Sequence, residues 1–468
     1  METPITIVIL AAGLGTRMKS KKPKVLHEAG GLPLIEHVVG TALEIAPAER
    51  IVVVVGQQAE AVETAVRERG VRFVKQAEQK GTGDALKACR GAAPETGRLV
   101  VLYGDCPLLG AATLKALIAE HESSGAAATV ITTTLDNPTG YGRVLRDENG
   151  DVRAIVEQKA ASPEELAVHE INSGIYCFEG GPLWKHIGEI RPDNPAREYY
   201  LTDIAAVLRR AGERVRPFAM ADSSELLGIN TRAELAAVDR ILRERKTRQL
   251  MLDGVTIEKP ETVSIDAAVR IGMDTVIEPF ARILGRTVIG ENCRVGACSI
   301  VRDSKLGDGA EVGAFTIVDE SELAEGAQVG PYARIRMHAH IGRDARVGNF
   351  VEVKKSRLGA KSKSMHLAYL GDAAIGERVN VGAGTITCNY DGVKKHPTTI
   401  GDGCFVGSNS TLVAPVELGE GSYVGAGSVI TKDVPADALA VGRARQVTKE
   451  HWAKRRREKA AQTTSGER

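Results

Sequence analysis

The chain has 468 residues, a length that suggests two or three domains rather than one. Its 61 Lys and Arg residues against 60 Asp and Glu give a net charge of +1, so it lacks the global basic field that polynucleotide binding requires. Glycine is frequent, with 50 residues, and aromatic residues are scarce, at 4%. This bias indicates many close backbone approaches and small side chains.

No apolar run reaches the roughly 18 residues that a membrane span needs, so we expect no membrane partner. Because of the near-neutral charge, we also expect no nucleic-acid partner. The seven cysteines include no C-x-x-C pair, and we expect them to be reduced thiols. The first residues lack the basic start of a signal peptide. These features predict a cytoplasmic protein.

Residues 1–230 alternate short aliphatic runs with longer amphipathic stretches. The runs predict strands at Ile5–Leu10, Ile51–Val55, Val71–Val74, Leu99–Leu102 and Ala128–Thr133. The stretches predict helices at Leu34–Glu44, Ala59–Glu68, Ala85–Cys89 and Ala112–His121. This order predicts an α/β domain with a doubly wound, mixed or parallel sheet. Ligands of such sheets bind beyond the carboxyl ends of strands, which directs attention to the loops after Leu10 and Leu102.

The loop after the first strand reads LAAGLGTRMKSKKPK over residues 10–24. Its glycines can bring backbone N–H groups onto a polyphosphate, although the loop is neither a Walker loop nor a complete Rossmann fingerprint. Arg17 and Lys24 are suited to neutralise charge on a transferred phosphoryl group. Asp105, which ends a later strand, can hold Mg²⁺ in the same crevice. A helix N-cap is the alternative role for Asp105.

A charged segment, residues 231–250, carries one apolar stripe and predicts a linker helix. Beyond it, an aliphatic residue followed by Gly occurs seventeen times between Ile271 and Gly425, often six or twelve residues apart. A six-residue period is typical of β-helices, so we predict a left-handed parallel β-helix of hexapeptide repeats over residues 251–447.

Two stretches break this period, at 352–369 and 387–399, and we expect both to leave the coil as loops that carry function. The basic tail, residues 448–468, is expected to be flexible.

His366 lies in the first phase break, where a neutral imidazole can act as a general base towards an amine. Arg336 and Lys354 supply cations for a sugar phosphate, which favours acyl transfer. A zinc site formed by His338, His340 and His366 is the alternative, and it ranks lower because the spacing supplies no further ligand.

Six motifs together resemble the sugar-nucleotide pyrophosphorylases: G-x-G-T-R-M…P-K, Q-A-E-Q-x-G-T-G (76–83), Y-G-D (103–105), N-P-T-G-Y-G-R (137–143), I-V-E (155–157) and I-N-S-G-I (171–175). Joined to hexapeptide repeats, they resemble the family of bacterial bifunctional N-acetylglucosamine-1-phosphate uridyltransferase / glucosamine-1-phosphate N-acetyltransferases. The resemblance covers residues 5–447, almost the whole chain.

This resemblance implies two reactions. Acetyl-CoA would acetylate glucosamine-1-phosphate, and UTP would then transfer its uridylyl group to N-acetylglucosamine-1-phosphate with release of pyrophosphate. The family also implies a homotrimer assembled through the β-helix. A single-activity sugar-nucleotide pyrophosphorylase with a structural or regulatory β-helix remains the alternative.

For the first half, the family implies a uridine-nucleotide site formed by Leu10, Ala11, Ala12, Gly13, Gln76, Gly81, Thr82, Tyr103 and Gly104. Gly140, Glu157 and Asn172 would bind the N-acetylglucosamine moiety. Asp105 and Asn230 would hold Mg²⁺ beside the nucleotide, although a helix N-cap would also explain Asn230. Arg17 and Lys24 would stabilise the transition state.

For the second half, the family implies His366 as the base and a phosphosugar site of Arg336, Lys354, Tyr369 and Asn380. It implies an acetyl-CoA site of Ala383, Asn389, Tyr390, Ser408, Ala426 and Arg443. Because CoA lies between adjacent solenoids in this family, Asn389 and Tyr390 are candidates to serve a neighbouring subunit's site. Met365 departs from the family pattern, since a small residue is expected before the histidine, but it leaves the base in place.

Overall fold

The computed structural model describes residues 3–13 and 15–465. The chain forms two compact units, one comprising Met1–Gln249 with Ile265–Ala268 and the other comprising Leu250–Ser264 with Val269–Arg468. Within the described ranges, no helix has the length and apolar character needed to cross a membrane.

The first unit is built on a mixed sheet. Its strands are β1 (Ile5–Leu10), β2 (Glu28–Ala29), β3 (Leu32–Pro33), β4 (Ile51–Val55), β5 (Arg72–Lys75), β6 (Arg98–Tyr103), β7 (Ala128–Thr134), β8 (Arg143–Arg146), β9 (Val152–Val156), β10 (Glu170–Glu179) and β11 (Val215–Ala219). The main sheet has the order β11-β7-β10-β6-β1-β4-β5, with β8 and β9 attached to β10, while β2 and β3 form a separate pair. β10 is antiparallel to β6 and β7, whereas β1 is parallel to β4 and β6.

Helices cover both faces of this sheet. They are α1 (Leu34–Leu43), α2 (Ala59–Val66), α3 (Thr82–Lys87), α4 (Ala111–Ser124), α5 (Pro163–Leu166), α6 (Gly180–His186) and α7 (Asp203–Arg210). Because successive residues of a strand point to opposite faces, Val8 and Leu10 of β1 belong to one buried apolar cluster, and Ile7 and Ile9 belong to another. The predicted strands and helices of this half are confirmed, with ends displaced by three residues or fewer.

Helix α8 (Arg232–Leu252) follows the sheet, one residue after the predicted start of the linker helix. Val238 is buried and packs with Ile229 and Leu34, so the predicted apolar stripe faces the first unit.

The C-terminal half winds through three parallel sheets, which we call faces A, B and C. Face A contains Thr256–Ile257, Val276–Ile277, Arg294–Val295, Glu311–Val312, Gln328–Val329, Arg346–Asn349, Lys363–His366, Asn380–Val381, Phe405–Val406, Tyr423–Val424 and Leu439–Ala440. Face B contains Ser264–Ile265, Arg282–Leu284, Ile300–Arg302, Ile317–Asp319, Arg334–Arg336, Glu352–Lys354, Tyr369–Gly371, Ile386–Cys388, Thr411–Val413 and Val429–Ile430. Face C contains Arg270–Ile271, Val288–Ile289, Lys305–Leu306, Glu322–Leu323, His340–Ile341, Arg357–Leu358, Ala373–Ile375, Thr398–Ile400 and Val416–Leu418.

Each coil buries one residue from each face. Val347, Val353 and Leu358 are at most 1% exposed and come from faces A, B and C in turn. Their spacing of five or six residues is the hexapeptide period, and it explains why the interior accommodates aliphatic side chains with so few rings. The β-helix predicted from that period is therefore confirmed.

The expectation that residues 352–369 leave the coil is wrong, because strands on all three faces continue through them. The aliphatic-Gly pattern fails there for a local reason. The interior position on face A is Ser364, which is fully buried. It pairs with Val347 and Val381 of the neighbouring coils, and Met365 follows it where those coils have glycine. The second break does interrupt the coil, since the chain leaves the sheets between Cys388 and Thr398.

The C-terminal tail is largely helical. Helix α9 (Trp452–Ser465) occupies most of it, and residues 451–462 are exposed throughout. Residues 466–468 lie outside the described part of the chain.

Candidate functional site

The first candidate site lies beyond the carboxyl ends of β1 and β6. These strands pair in parallel, with Leu10 opposite Tyr103, and the Gly104 N–H donates to the Leu10 carbonyl at 3.0 Å. Asp105 follows directly, and its carbonyl accepts a hydrogen bond from the Ile229 N–H at 3.1 Å, which brings the following Asn230 to the same edge. The two loops that the sequence singled out therefore meet.

Four side chains converge in this crevice. The Lys24 ammonium forms an ion pair with the Asp105 carboxylate and donates to Asn230 Oδ1 at 3.0 Å. Arg17 Nη2 donates to the same Asn230 oxygen at 2.7 Å. The Lys24 and Asp105 side chains are only 14% and 13% exposed. Because little solvent screens the Lys24–Asp105 pair, its charges interact more strongly than those of the exposed Arg17.

Gly15 permits the close approach of Lys24. Its φ is +61°, and a Cβ at this position would lie 2.6 Å from Lys24 Cβ. Any larger residue would displace the lysine from the crevice, so this glycine of the loop has a steric function.

Asn230 does not cap the following helix. Thr231 is the N-cap of α8, because its hydroxyl accepts from the Glu234 N–H at 3.2 Å while Glu234 Oε2 accepts from the Thr231 N–H at 2.7 Å. The Asn230 side chain is thus free for the cations, and the structural explanation that the sequence left open for this residue is wrong.

Residues expected at the nucleotide line the same edge. Gln76 follows β5, is 4% exposed and donates through Nε2 to Asp84 Oδ2 at 2.7 Å and to the Gly81 carbonyl at 3.2 Å. The Thr82 hydroxyl accepts from the Leu201 N–H at 3.0 Å. Burial raises the pKa of Tyr103, whose hydroxyl interacts with Thr82, so this phenol stays neutral at physiological pH.

The start of the loop also lies at this edge. Leu10, Ala11 and Ala12 are buried, whereas Gly13 is exposed. The Ala11 N–H donates to the Val54 carbonyl at 2.9 Å, which ties the loop to β4. A ligand in the crevice can therefore approach the exposed backbone at Gly13 most directly.

The three residues expected at the sugar come from neighbouring strands. Glu157 follows β9, and burial raises the pKa of its carboxyl. Asn172 lies at a register shift of β10, and its Oδ1 accepts from the Gly174 N–H at 3.0 Å. Gly140 has a φ of +94° in the loop before β8, and its N–H donates to the Gln158 side chain. The β8–β9 hairpin thus joins Gly140 to the Glu157 region.

The second candidate site centres on His366, which ends a strand of face A and is exposed. His366 Nδ1 lies 3.0 Å from Asn349 Oδ1. Asn349 is the residue paired with His366 on the preceding coil. A carboxamide oxygen only accepts, so this contact places the proton on Nδ1 and leaves Nε2 free to accept another. Sequence reasoning missed Asn349, since its position 17 residues before the histidine has meaning only once the coil length is known.

A row of backbone hydrogen bonds between successive coils begins at His366. The Gly384 N–H donates to the His366 carbonyl at 3.4 Å, the Asn409 N–H to the Ala383 carbonyl at 2.7 Å, and the Gly427 N–H to the Ser408 carbonyl at 2.8 Å. Ala426 precedes Gly427, and Arg443 Cδ lies 3.7 Å from where a Gly427 Cβ would be. The predicted acetyl-CoA residues Ala383, Ser408, Ala426 and Arg443 therefore continue the row that begins at the base. At about 4.8 Å per coil, three coils span about 14 Å, which suits an elongated ligand.

Cationic groups lie across the corner on face B. Arg336 is paired in register with Lys354, and Arg336 Nε donates to Glu352 Oε1 at 2.6 Å. Lys354 is 8% exposed. Tyr369 lies opposite Glu352 on the next strand, so these residues form one group. Asn380 lies apart from them, on face A opposite Lys363.

The interruption after Cys388 forms a loop with its own hydrogen bonds. Asp391 Oδ1 accepts from the N–H groups of Val393 and Lys394 at 2.8 and 2.7 Å, and Asp391 Oδ2 lies 2.7 Å from His396 Nε2. These hydrogen bonds lower the pKa of Asp391 to about 2, and the bond from the Lys394 N–H has the largest effect. We call residues 389–396 the clasp loop.

The clasp loop contacts the cationic group. Asn389 Nδ2 donates to Asp372 Oδ2 at 2.6 Å and lies 3.5 Å from the Tyr369 hydroxyl, whereas Tyr390 is 60% exposed. The pKa of Lys395 is lowered, chiefly by its contact with Lys354. Sequence reasoning did not select Lys395, and a lysine pair separated by 41 positions carries no local signal.

The zinc alternative lacks geometric support. His338 is at a corner of the coil rather than on a strand, with a φ of 60°. With His340 it lines a cavity of about 550 Å³ on face C, whereas His366 ends a strand of face A. Residues 3–13 and 15–465 contain no group of three or more His, Cys, Asp and Glu side chains placed to hold a metal ion.

Comparison with known proteins agrees with the division of the chain into an N-terminal and a C-terminal unit. Residues 7–162 match the MobA-like NTP transferase domain, residues 268–303 the bacterial transferase hexapeptide (six repeats), and residues 397–432 the hexapeptide repeat of succinyl-transferase. The bifunctional protein GlmU of Solibacter usitatus (strain Ellin6076) is 63% identical over 461 residues, covering 98% of this chain and 99% of that protein. The bifunctional protein GlmU of Koribacter versatilis (strain Ellin345) is 51% identical over 454 residues, covering 96% and 97%. The chain belongs to the GlmU family of bifunctional proteins, and it joins a nucleotidyltransferase domain to a hexapeptide-repeat domain.

Proposed function

We propose that this chain catalyses both reactions leading to UDP-N-acetylglucosamine. The second unit acetylates glucosamine-1-phosphate with acetyl-CoA, and the first transfers a uridylyl group from UTP to the product. The observation that carries this proposal is that each compact unit has its own cluster of reactive groups, one around Lys24 and Asp105 and the other around His366.

In uridylyl transfer, an oxygen of N-acetylglucosamine-1-phosphate attacks the α-phosphorus of UTP, and pyrophosphate leaves. Such a transfer needs positioning and charge stabilisation more than covalent chemistry by the protein. Arg17 and Lys24 stabilise the negative charge on the phosphoryl oxygens, since both cations lie in the crevice. Glu157 and Asn172 orient the sugar.

The donor set fits Mg²⁺. Asp105 and Asn230 direct two oxygens at one cation, which in this structure is the Lys24 ammonium. Carboxylate and amide oxygens are hard ligands, and Mg²⁺ commonly takes only one or two of them from protein while water and phosphate oxygens complete its shell. Asp105 and Asn230 would therefore hold the ion, which would supply positive charge to the phosphates.

In acetyl transfer, the amine of glucosamine-1-phosphate attacks the thioester carbonyl of acetyl-CoA, and the CoA thiolate leaves. His366 Nε2 accepts the proton of the amine, while Asn349 holds the other ring nitrogen. Arg336, Lys354 and Tyr369 bind the phosphate end of the acceptor.

A homotrimer through the β-helix is part of the proposal. Its support is the corner between faces A and B, which we call the A–B corner. Phe315, Tyr332 and Phe350 form a row there, with ring centroids 5.0 and 5.5 Å apart, and are each about half exposed. Exposed apolar rows of this kind are typical of protein interfaces. Because His366 directly precedes Leu367 of this corner, packing along it would put the acetyl-transfer site between subunits.

The proposal places the enzyme in the cytoplasm. All seven cysteines carry free thiols, which suits a reducing compartment.

The test uses the full-length protein and two assays, pyrophosphate release from UTP with N-acetylglucosamine-1-phosphate and CoA release from acetyl-CoA with glucosamine-1-phosphate. Asp105→Ala should lower only the first activity and His366→Ala only the second, each by at least about 100-fold. Each variant is thus the matched control for the other.

Two outcomes would replace the proposal. CoA release that His366→Ala leaves unchanged would favour the single-activity pyrophosphorylase with a structural or regulatory β-helix. Pyrophosphate release that Asp105→Ala leaves unchanged would remove the uridylyltransferase assignment.

A further inference from the structure

Gln76 is held from one side by two acceptors. Its Nε2 donates to Asp84 Oδ2 at 2.7 Å and to the Gly81 carbonyl at 3.2 Å. Gln76 is 4% exposed, and Asp84 lies in the first turn of α3. A buried amide with this pairing cannot rotate by 180° without setting its oxygen against a carboxylate and a carbonyl.

The fixed orientation has a chemical consequence. With Nε2 engaged, Gln76 presents Oε1, an acceptor, to whatever lies on its other side. Uracil carries a donor at N3, whereas cytosine carries an acceptor there. An amide free to rotate could meet either base, by offering its oxygen to one and its NH₂ group to the other.

We propose that Asp84 is a positioning residue that makes the first site selective for uracil over cytosine nucleotides by holding Gln76 in one orientation. This inference rests on the proposed uridylyl transfer and goes beyond it, because it concerns a residue outside the predicted nucleotide site. The anionic acceptor matters, since a hydrogen bond to a carboxylate is about twice as strong as one between neutral groups.

The test compares UTP and CTP as substrates of the full-length protein with N-acetylglucosamine-1-phosphate. The measured quantity is the ratio of kcat/KM for UTP to kcat/KM for CTP. Asp84→Ala should lower this ratio roughly tenfold, because the released amide can turn its NH₂ group towards cytosine N3. Asp84→Asn is the matched variant and should give an intermediate ratio, since its neutral oxygen accepts from Nε2 more weakly than a carboxylate. Gln76→Ala sets the ratio expected without any amide.

A purely structural role for Asp84 would lower both kcat/KM values together and leave their ratio unchanged. A ratio within twofold of the wild-type value in Asp84→Ala overturns the inference. Failure of wild-type protein to release pyrophosphate with either nucleotide would instead contradict the proposed function, so the two failures are distinguishable.

A second pair of variants decides the matter if Asp84→Ala does not fold. Gln76→Glu alone sets two carboxylates against each other and should lose most activity with UTP. Adding Asp84→Asn restores one amide and one carboxylate, with an acceptor still facing the base, and should recover part of the UTP preference. Effects of the two substitutions that simply add, with no recovery, would overturn the inference.

Discussion

Lys24 forms an ion pair with Asp105 across the crevice at the ends of β1 and β6. The lysine therefore occupies the position towards which both expected magnesium ligands, Asp105 and Asn230, direct their oxygens. A Mg²⁺ ion held by Asp105 and Asn230 would therefore have to displace the ammonium, which would leave Lys24 free to contact a phosphate.

The contact between Lys24 and Asp105 predicts that one substitution changes both the Mg²⁺ requirement and kcat. Lys24→Met should lower the Mg²⁺ concentration required for half-maximal uridylyl transfer, because the competing cation is gone. It should also lower kcat by about 100-fold or more, because a cation at the transferred phosphoryl group is lost. Titration of Mg²⁺ in the pyrophosphate assay measures both, with Lys22→Met, a nearby lysine paired to Glu28, as the control. A variant that needs more Mg²⁺ than the wild type would contradict the competition.

Removal of the metal should separate the two activities. Excess EDTA should abolish pyrophosphate release and leave CoA release unchanged, because the proposed acetyl transfer relies on His366 and its contact with Asn349 rather than on a metal. Restoration by added Mg²⁺ is the control. Equal loss of both activities in EDTA would argue against a metal confined to the first site.

Glu157 predicts a pH dependence of sugar binding. Burial raises the pKa of its carboxyl, and the nearby Asp203 and Glu198 add to the effect. A raised pKa means that Glu157 becomes protonated at a higher pH than an exposed glutamate, whose pKa is about 4.3. The KM for N-acetylglucosamine-1-phosphate should therefore rise as the pH falls through that raised value, while the KM for UTP changes less.

Glu157→Gln is the matched variant for this experiment. It should have a higher KM for the sugar phosphate at pH 8 and should lose the acid limb of the profile, because the titrating group is gone. An acid limb that persists in Glu157→Gln belongs to another group and would contradict the prediction.

Much of this architecture could be predicted from the sequence because its signals are local. Aliphatic runs such as Ile51–Val55 mark buried strands, and an aspartate at the end of a strand marks the crevice. The contacts of Asn349 with His366 and of Asp84 with Gln76 could not be predicted, since each joins residues that only the fold brings together.

The erroneous phase break shows a different limit. The coil tolerates Ser364 inside and Met365 after it, whereas the aliphatic-Gly pattern that reveals the coil does not. The serine keeps the hexapeptide period at a cost in apolar burial. The backbone can therefore keep a repeat where the amino-acid sequence does not show it.

The clasp loop should control acetyl-CoA binding through Asp391. This carboxylate organises the segment between Asn389 and His396, so Asp391→Ala should leave the loop ordered only part of the time. If one-tenth of the molecules keep the competent loop, the KM for acetyl-CoA rises about tenfold. Val393→Ala, at an 88% exposed position of the same loop, should have no effect. An unchanged KM in Asp391→Ala would mean that the loop does not depend on this residue.

The A–B corner should hold the oligomer together. Its row of Phe315, Tyr332 and Phe350 differs from the other two corners, where polar residues such as Asp303 and Asp344 adopt the same left-handed conformation. Tyr332→Glu places a charge in the middle of the row and should convert a trimer into monomers in sedimentation velocity experiments, because burying an unpaired carboxylate is strongly unfavourable.

The same variant tests whether the acetyl-transfer site depends on assembly. CoA release by Tyr332→Glu should fall together with the trimer fraction, whereas pyrophosphate release should persist, because the Lys24 cluster lies entirely within the first unit. Met273→Glu, at an exposed apolar residue of a different corner, is the control and should leave both mass and activities unchanged. A monomeric Tyr332→Glu protein with full CoA release would show that one chain completes the site alone.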